Sequence, residues 1–97
     1  MARELLSIDF DGVIKDMGSD NPLPNAGPAI SRLAKRYDLV VFTARPDTGF
    51  VKQWIFNKLG LHMRVTNQKE PSIAYIDDKA FKFSPGRGGW MDVLNNF

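Results

Sequence analysis

Two acidic pairs carry most of the chemistry open to this chain. Asp9 and Asp11 lie in Ser7-Ile8-Asp9-Phe10-Asp11-Gly12-Val13, and Asp77 and Asp78 in Ile73-Ala74-Tyr75-Ile76-Asp77-Asp78-Lys79. Each pair follows an apolar run that reads as a buried β-strand. If the two strands are parallel neighbours, these carboxyl groups converge at one sheet edge. Crowded carboxylates repel one another unless a cation sits between them. Hard oxygen donors with water to spare favour Mg²⁺, and a divalent ion beside a further carboxylate suggests phosphoryl transfer. Taken singly, each pair has a plainer reading: Asp-Gly is a turn signal, and adjacent acids can close a strand or cap a helix. Two such pairs in one short chain favour the functional reading.

Other residues could complete such a site. Thr43 closes a second apolar run, Leu39-Val40-Val41-Phe42-Thr43, where its hydroxyl could hold a phosphate oxygen. A β-branched residue with good strand propensity is the ordinary alternative. Lys69 lies in the polar stretch Asn67-Gln68-Lys69-Glu70-Pro71, ahead of the last strong strand. Arg45 and Lys79 follow the Thr43 and Asp78 positions and could touch a substrate, although either could equally be a surface charge.

The elements that must position these residues alternate. Leu5 to Phe10 reads as a central strand, and residues 12–24, rich in Gly, Pro, Asp and Asn, as a loop or small flap. A helix is expected after Asn25 as N-cap, with Pro28 in its first turn and Ala29, Ile30, Leu33, Ala34 and Tyr37 on its buried face. The strand 39–43 follows. Asp47 can cap a second helix whose apolar face is Phe50, Val51, Trp54, Ile55 and Leu59, stopped at Gly60. Strands are expected at 63–66, 72–76 and 80–83, a loop at 84–89 and a short helix at 90–95. Strand–helix alternation implies right-handed crossovers and a mostly parallel sheet. Ligands of such sheets bind beyond the strands' carboxyl ends, where both acidic pairs and Thr43 fall.

Size and composition bound the rest. The chain has 97 residues, 43% hydrophobic and 25% charged, which suits one small α/β domain over residues 1–97. With no cysteine there is no disulfide framework, thiolate metal site or cysteine nucleophile. The absence of cysteine fits a reducing cytoplasm. Met1-Ala2-Arg3-Glu4 runs directly into a strand without a signal-peptide pattern, and no apolar run is long enough to span a membrane. The net charge of +2 is compatible with anionic substrates.

In the order and spacing of these motifs the chain resembles the haloacid dehalogenase superfamily of phosphohydrolases. The matching segments are Ile8 to Val13, the strand ending in Thr43, Lys69 ahead of the fourth strand, and Tyr75-Ile76-Asp77-Asp78; together they cover nearly the whole chain. The resemblance implies a Rossmann-like three-layer α/β/α core. It also implies a nucleophilic Asp9 that forms an aspartyl-phosphate, and an Asp11 that protonates the leaving oxygen and then deprotonates water. Mg²⁺ would be held by Asp9, the Asp11 carbonyl and Asp77, with Asp78 supporting it from behind. Thr43 and Lys69 would hold phosphoryl oxygens.

Two departures from the family pattern stand out. Glu70 separates Lys69 from Pro71 where Lys-Pro is usual, which makes Lys52, Lys58 and Lys79 the alternative lysines. Neither 12–24 nor 44–68 can house a cap domain, so the site is expected to be open. An open site suits a nucleotide, a sugar phosphate or a phosphorylated nucleic acid end, or it borrows a lid from another subunit or a partner. One competing reading is a non-catalytic domain that binds Mg²⁺ or phosphate and acts through a partner protein. Another is a receiver domain, although receivers place the acidic pair on the first strand, the reverse of the order here.

Overall fold

The computed structural model describes residues 3–69, 72, 74–77, 81–82 and 89–97. In chain order the elements are β1 (Leu5–Asp9), α1 (Ala26–Leu33), β2 (Asp38–Phe42), α2 (Thr48–Leu59), β3 (Val65–Thr66), β4 (Ala74–Asp77), β5 (Phe81–Lys82) and α3 (Gly89–Asn96). The sheet order is β3-β2-β1-β4-β5, and every pairing is parallel. β1 lies at the centre, with β2 and β4 on either side.

The register sorts the strand residues onto two faces, because side chains in adjacent parallel strands at the same level point the same way. Leu6, Leu39 and Ala74 share one level, as do Ile8, Val41 and Ile76. Leu6, Ile8, Val41 and Ile76 are fully buried with the inner residues of all three helices: Ile30 and Leu33 of α1, Val51, Trp54 and Ile55 of α2, and Trp90 and Val93 of α3. The opposite face carries Ser7 beside Val40 and Tyr75, and Asp9 beside Phe42. Ser7 and Val40 on that second face are also buried, at 2% and 0% exposure, while among the described residues all three helices contribute to the core of the first face. The strand order gives the reason. The β1–α1–β2–α2–β3 path advances in one direction, which keeps both helices on one face under the right-handed crossover rule. Returning from β3 across to β4 reverses the direction and assigns that connection to the other face. The connection is residues 67–73, too short for a covering helix.

Several boundaries differ from the sequence expectations for local reasons. Asn25 does precede α1, but it is left-handed (φ 68°) and makes no side-chain cap bond. α1 ends at Leu33, so Ala34 is exposed and Tyr37 only half-buried. Asp47 caps α2 as expected, its side chain accepting from Phe50 N, and Gly60 ends that helix at φ 70°. Phe50 itself is 47% exposed instead of facing the core. β3 forms only at 65–66, where Val65 and Thr66 pair with Val41 and Phe42. Of the strand expected at 80–83, residues 81–82 pair with β4. Residues 84–88, including Arg87, lie outside the described residues.

Residues 10–22 are a compact flap. Phe10 O accepts from the amides of Val13 (3.3 Å), Ile14 (2.9 Å) and Lys15 (3.0 Å), a single tight turn directly after β1. Gly12, at φ 82°, sits within that turn in a region that L-residues with a Cβ rarely adopt. Two anchors hold the flap down. Trp90 Nε1 donates to Val13 O at 2.9 Å, and Trp54 Nε1 donates to the Asp20 carboxylate at 2.9 Å. No helix of the described residues is long and apolar enough to cross a membrane.

Candidate active site at the carboxyl edge of the sheet

Asp9 is the last residue of β1 and is half-buried, and its Oδ1 accepts from Phe10 N at 3.1 Å. Ile8 pairs with Ile76, so the next residues along, Asp9 and Asp77, end adjacent parallel strands side by side. Asp77 is placed by its backbone, and Asp78 and Lys79 lie outside the described residues. Thr43 directly follows β2. Its amide continues the ladder to Thr66 O (3.0 Å), and its side chain is 1% exposed. The Thr43 hydroxyl accepts from Arg45 N at 3.1 Å, a local turn that fixes where Arg45 leaves the sheet.

Asp11 and Arg45 meet. Arg45 Nε donates to Asp11 Oδ2 at 3.0 Å and Nη2 to Oδ1 at 2.9 Å, a bidentate pair between side chains 39% and 34% exposed. The guanidinium also lies 5.7 Å from the Phe10 ring centroid and 5.6 Å from that of Phe50. The hydrogen bond to Asp11 raises the Arg45 pKa above its ordinary value; partial burial works against the shift and the Coulomb attraction of Asp11 adds to it. Sequence reading gave Arg45 a substrate contact and left Asp11 without a partner. No local signal in the sequence points to the pair; it follows from strand register, in which Asp9 and Phe42 are partners, so residues two or three beyond each strand end emerge next to one another. The contact also explains the exposed position of Phe50, whose ring packs under the guanidinium.

Lys69 is exposed, and its ammonium lies 5.6 Å from the Phe42 ring centroid and 5.4 Å from that of Tyr75. Phe42 is the register partner of Asp9 and Tyr75 that of Ser7, so Lys69 lies over the face that Asp9 occupies. The two alternative lysines within the described residues are elsewhere: Lys58 pairs with Asp20 (3.4 Å) and Lys52 lines a groove beside α2. Of the sequence candidates, the fold gathers Asp9, Asp11, Thr43, Arg45 and the backbone of Asp77 at one edge, with Lys69 over the neighbouring Phe42 and Tyr75 rings.

Among the described residues no cluster of three or more acidic or histidine side chains could hold a metal ion; the oxygen donors at this edge are of the type a hard divalent cation takes. Asp9 and Asp77 end neighbouring strands, and Asp11, with both carboxylate oxygens on Arg45, retains its main-chain carbonyl as a possible ligand. Comparisons with protein-family models, curated proteins and solved structures return no match for this chain.

Proposed function

We propose that this protein is a Mg²⁺-dependent phosphomonoester hydrolase of the haloacid dehalogenase type, with an open site and no cap domain. One observation carries the reading: Asp9 and Asp77 end adjacent parallel strands, next to a buried Thr43 and the Asp11–Arg45 pair. Asp9 Oδ attacks phosphorus and displaces the substrate oxygen, which takes its proton from Asp11. Water, deprotonated by Asp11, then attacks the phosphorus, which frees Asp9 and releases inorganic phosphate. Thr43 donates to a phosphoryl oxygen, and Lys69, from its place over the Phe42 and Tyr75 rings, neutralises charge. Mg²⁺ would be held by Asp9, Asp77 and the Asp11 carbonyl, with Asp78 behind, and when bound it neutralises phosphoryl charge and fixes its orientation. For Asp11 to exchange a proton, Arg45 must release at least one of its oxygens, and an anionic substrate is the natural competitor for that guanidinium.

The test is phosphate release from nucleotides, sugar phosphates and phosphorylated oligonucleotides, with and without Mg²⁺, by wild type and Asp9→Asn. Release that needs Mg²⁺ and is lost in the variant is the expected result. The alternative, a non-catalytic Mg²⁺- or phosphate-binding domain that works through a partner, draws support from the Asp11–Arg45 pair, which occupies both oxygens of the required acid. Saturable Mg²⁺ binding by well-folded protein, with no release from any substrate, would decide for that alternative.

A further inference from the structure

We propose that the groove between α2 and β3 binds single-stranded nucleic acid. Lys52, His62 and Arg64 line a cavity of about 480 Å³ there, together with Thr48 and Gly49. A second cavity of about 260 Å³ shares Gly49, Lys52 and His62 and extends to Gln53 and Phe56. No acidic side chain lines either one among the described residues. Positions 49, 52, 53 and 56 fall on one stripe of α2 by helical spacing. Phe56 is 43% exposed on that stripe, and the His62 ring stacks on it at 4.6 Å and 29°.

This combination selects one ligand class. Cationic side chains along a groove suit a phosphodiester backbone, and an exposed aromatic stack offers a platform to bases, which are free to stack there only when unpaired. A small phosphorylated metabolite would need the charges but not the platform. The groove also leads to the candidate site: α2 begins three residues after Arg45, and Phe50 on its first turn contacts the Arg45 guanidinium. A strand whose end runs past the first turn of α2 would leave the groove on the Arg45 side of the candidate site. That last point rests on the phosphatase reading, whereas binding in the groove does not.

The experiment is fluorescence anisotropy with a short labelled oligothymidylate lacking a terminal phosphate, without Mg²⁺, so that neither catalysis nor metal enters. The expected result is saturable binding that weakens as salt rises. Lys52→Glu with Arg64→Glu should weaken it at least about tenfold and flatten the log–log salt slope by about 1.4, the value for two lost phosphate contacts on a single strand. The milder Lys52→Ala with Arg64→Ala should act in the same direction. Phe56→Ala should weaken binding about 5- to 100-fold, as loss of one stacked base does. Lys35→Glu, an exposed change outside the groove, should leave binding unchanged. The proposal is overturned by absence of binding at low salt, by equal losses in the groove variants and Lys35→Glu, or by equal affinity for polyglutamate of matched charge. Binding without phosphate release from any phosphorylated oligonucleotide would keep the groove and remove the phosphatase reading.

Discussion

The two faces of the sheet contrast sharply although the same strands make both. One face is apolar and sealed by three helices: Leu6, Ile8, Val41 and Ile76 against Ile30, Ile55 and Trp90. The other has Ser7, Asp9, Phe42 and Tyr75, with the Lys69 ammonium above its rings. Alternation along β1 thus sends every second residue to stability and the residues between them toward chemistry. Substitutions should separate the two functions face by face.

The largest effect is expected at Asp9. Asp9→Asn should reduce phosphate release by about 10⁴-fold or more while leaving the melting temperature near wild type, since a nucleophile acts only in the reaction. Parallel turnover and thermal-melt measurements check this, and an equal loss in both would erase the distinction between the faces. The reverse pattern is expected on the sealed face. Trp90→Ala should lower stability by about 3–5 kcal/mol, read by chemical denaturation, with turnover per folded molecule changed far less than in Asp9→Asn.

The Asp11–Arg45 pair lies at the boundary. Arg45→Ala should change stability by only about 0.5–1 kcal/mol because both groups are partly solvated. Its effect on turnover should grow with the negative charge of the substrate, which a comparison of phosphomonoesters of increasing charge would reveal. Lys69→Ala, which removes an exposed cation from two rings, should cost about 0.5–1 kcal/mol.

The smallest effect concerns the flap. The Asp20 pKa is lowered from 3.8, chiefly by the Trp54 indole N–H and secondly by Lys58, with desolvation opposing. A folded-state pKa below the unfolded one adds stability above the unfolded value, and that stability fades as the pH falls through the lowered one. Asp20→Asn should therefore lose this small contribution at neutral pH, flatten the decline in stability below about pH 4 and converge on wild type in acid, as acid titration of the unfolding midpoint would show.

Much of this arrangement was readable from residue types. β1 and β2, the Asp47 cap, the Gly60 stop and the placement of Asp9 and Thr43 at strand ends all follow from local signals spanning a few residues. The parallel sheet followed from alternation of elements. The gathering of α1, α2 and α3 on one core did not, because it depends on strand order and the jump from β3 to β4, which are not written in local periodicity. Nor was the Asp11–Arg45 pair visible, since it joins residues 34 positions apart through strand register. Phe50 matched the spacing of the buried stripe, but its position next to Arg45 gave its ring a cation to cover instead of a core to enter.

The bond from Trp90 to the Val13 carbonyl, 77 positions away, bears on the order of events during synthesis. The turn that carries Asp11 closes through its own backbone hydrogen bonds and is tied to α2 through Trp54 and Asp20, whereas its anchor at Val13 comes from α3. A growing chain can pair β1 with β2 and tie Asp20 to Trp54 early, yet it must wait for residues around position 90 before the second anchor of its first turn can form. Closing so long a loop is entropically unfavourable and is compensated only once the contact forms. A partly translated copy would therefore carry its acidic residues on a turn with one of two anchors missing, and the site would gain its full support only after α3 docks.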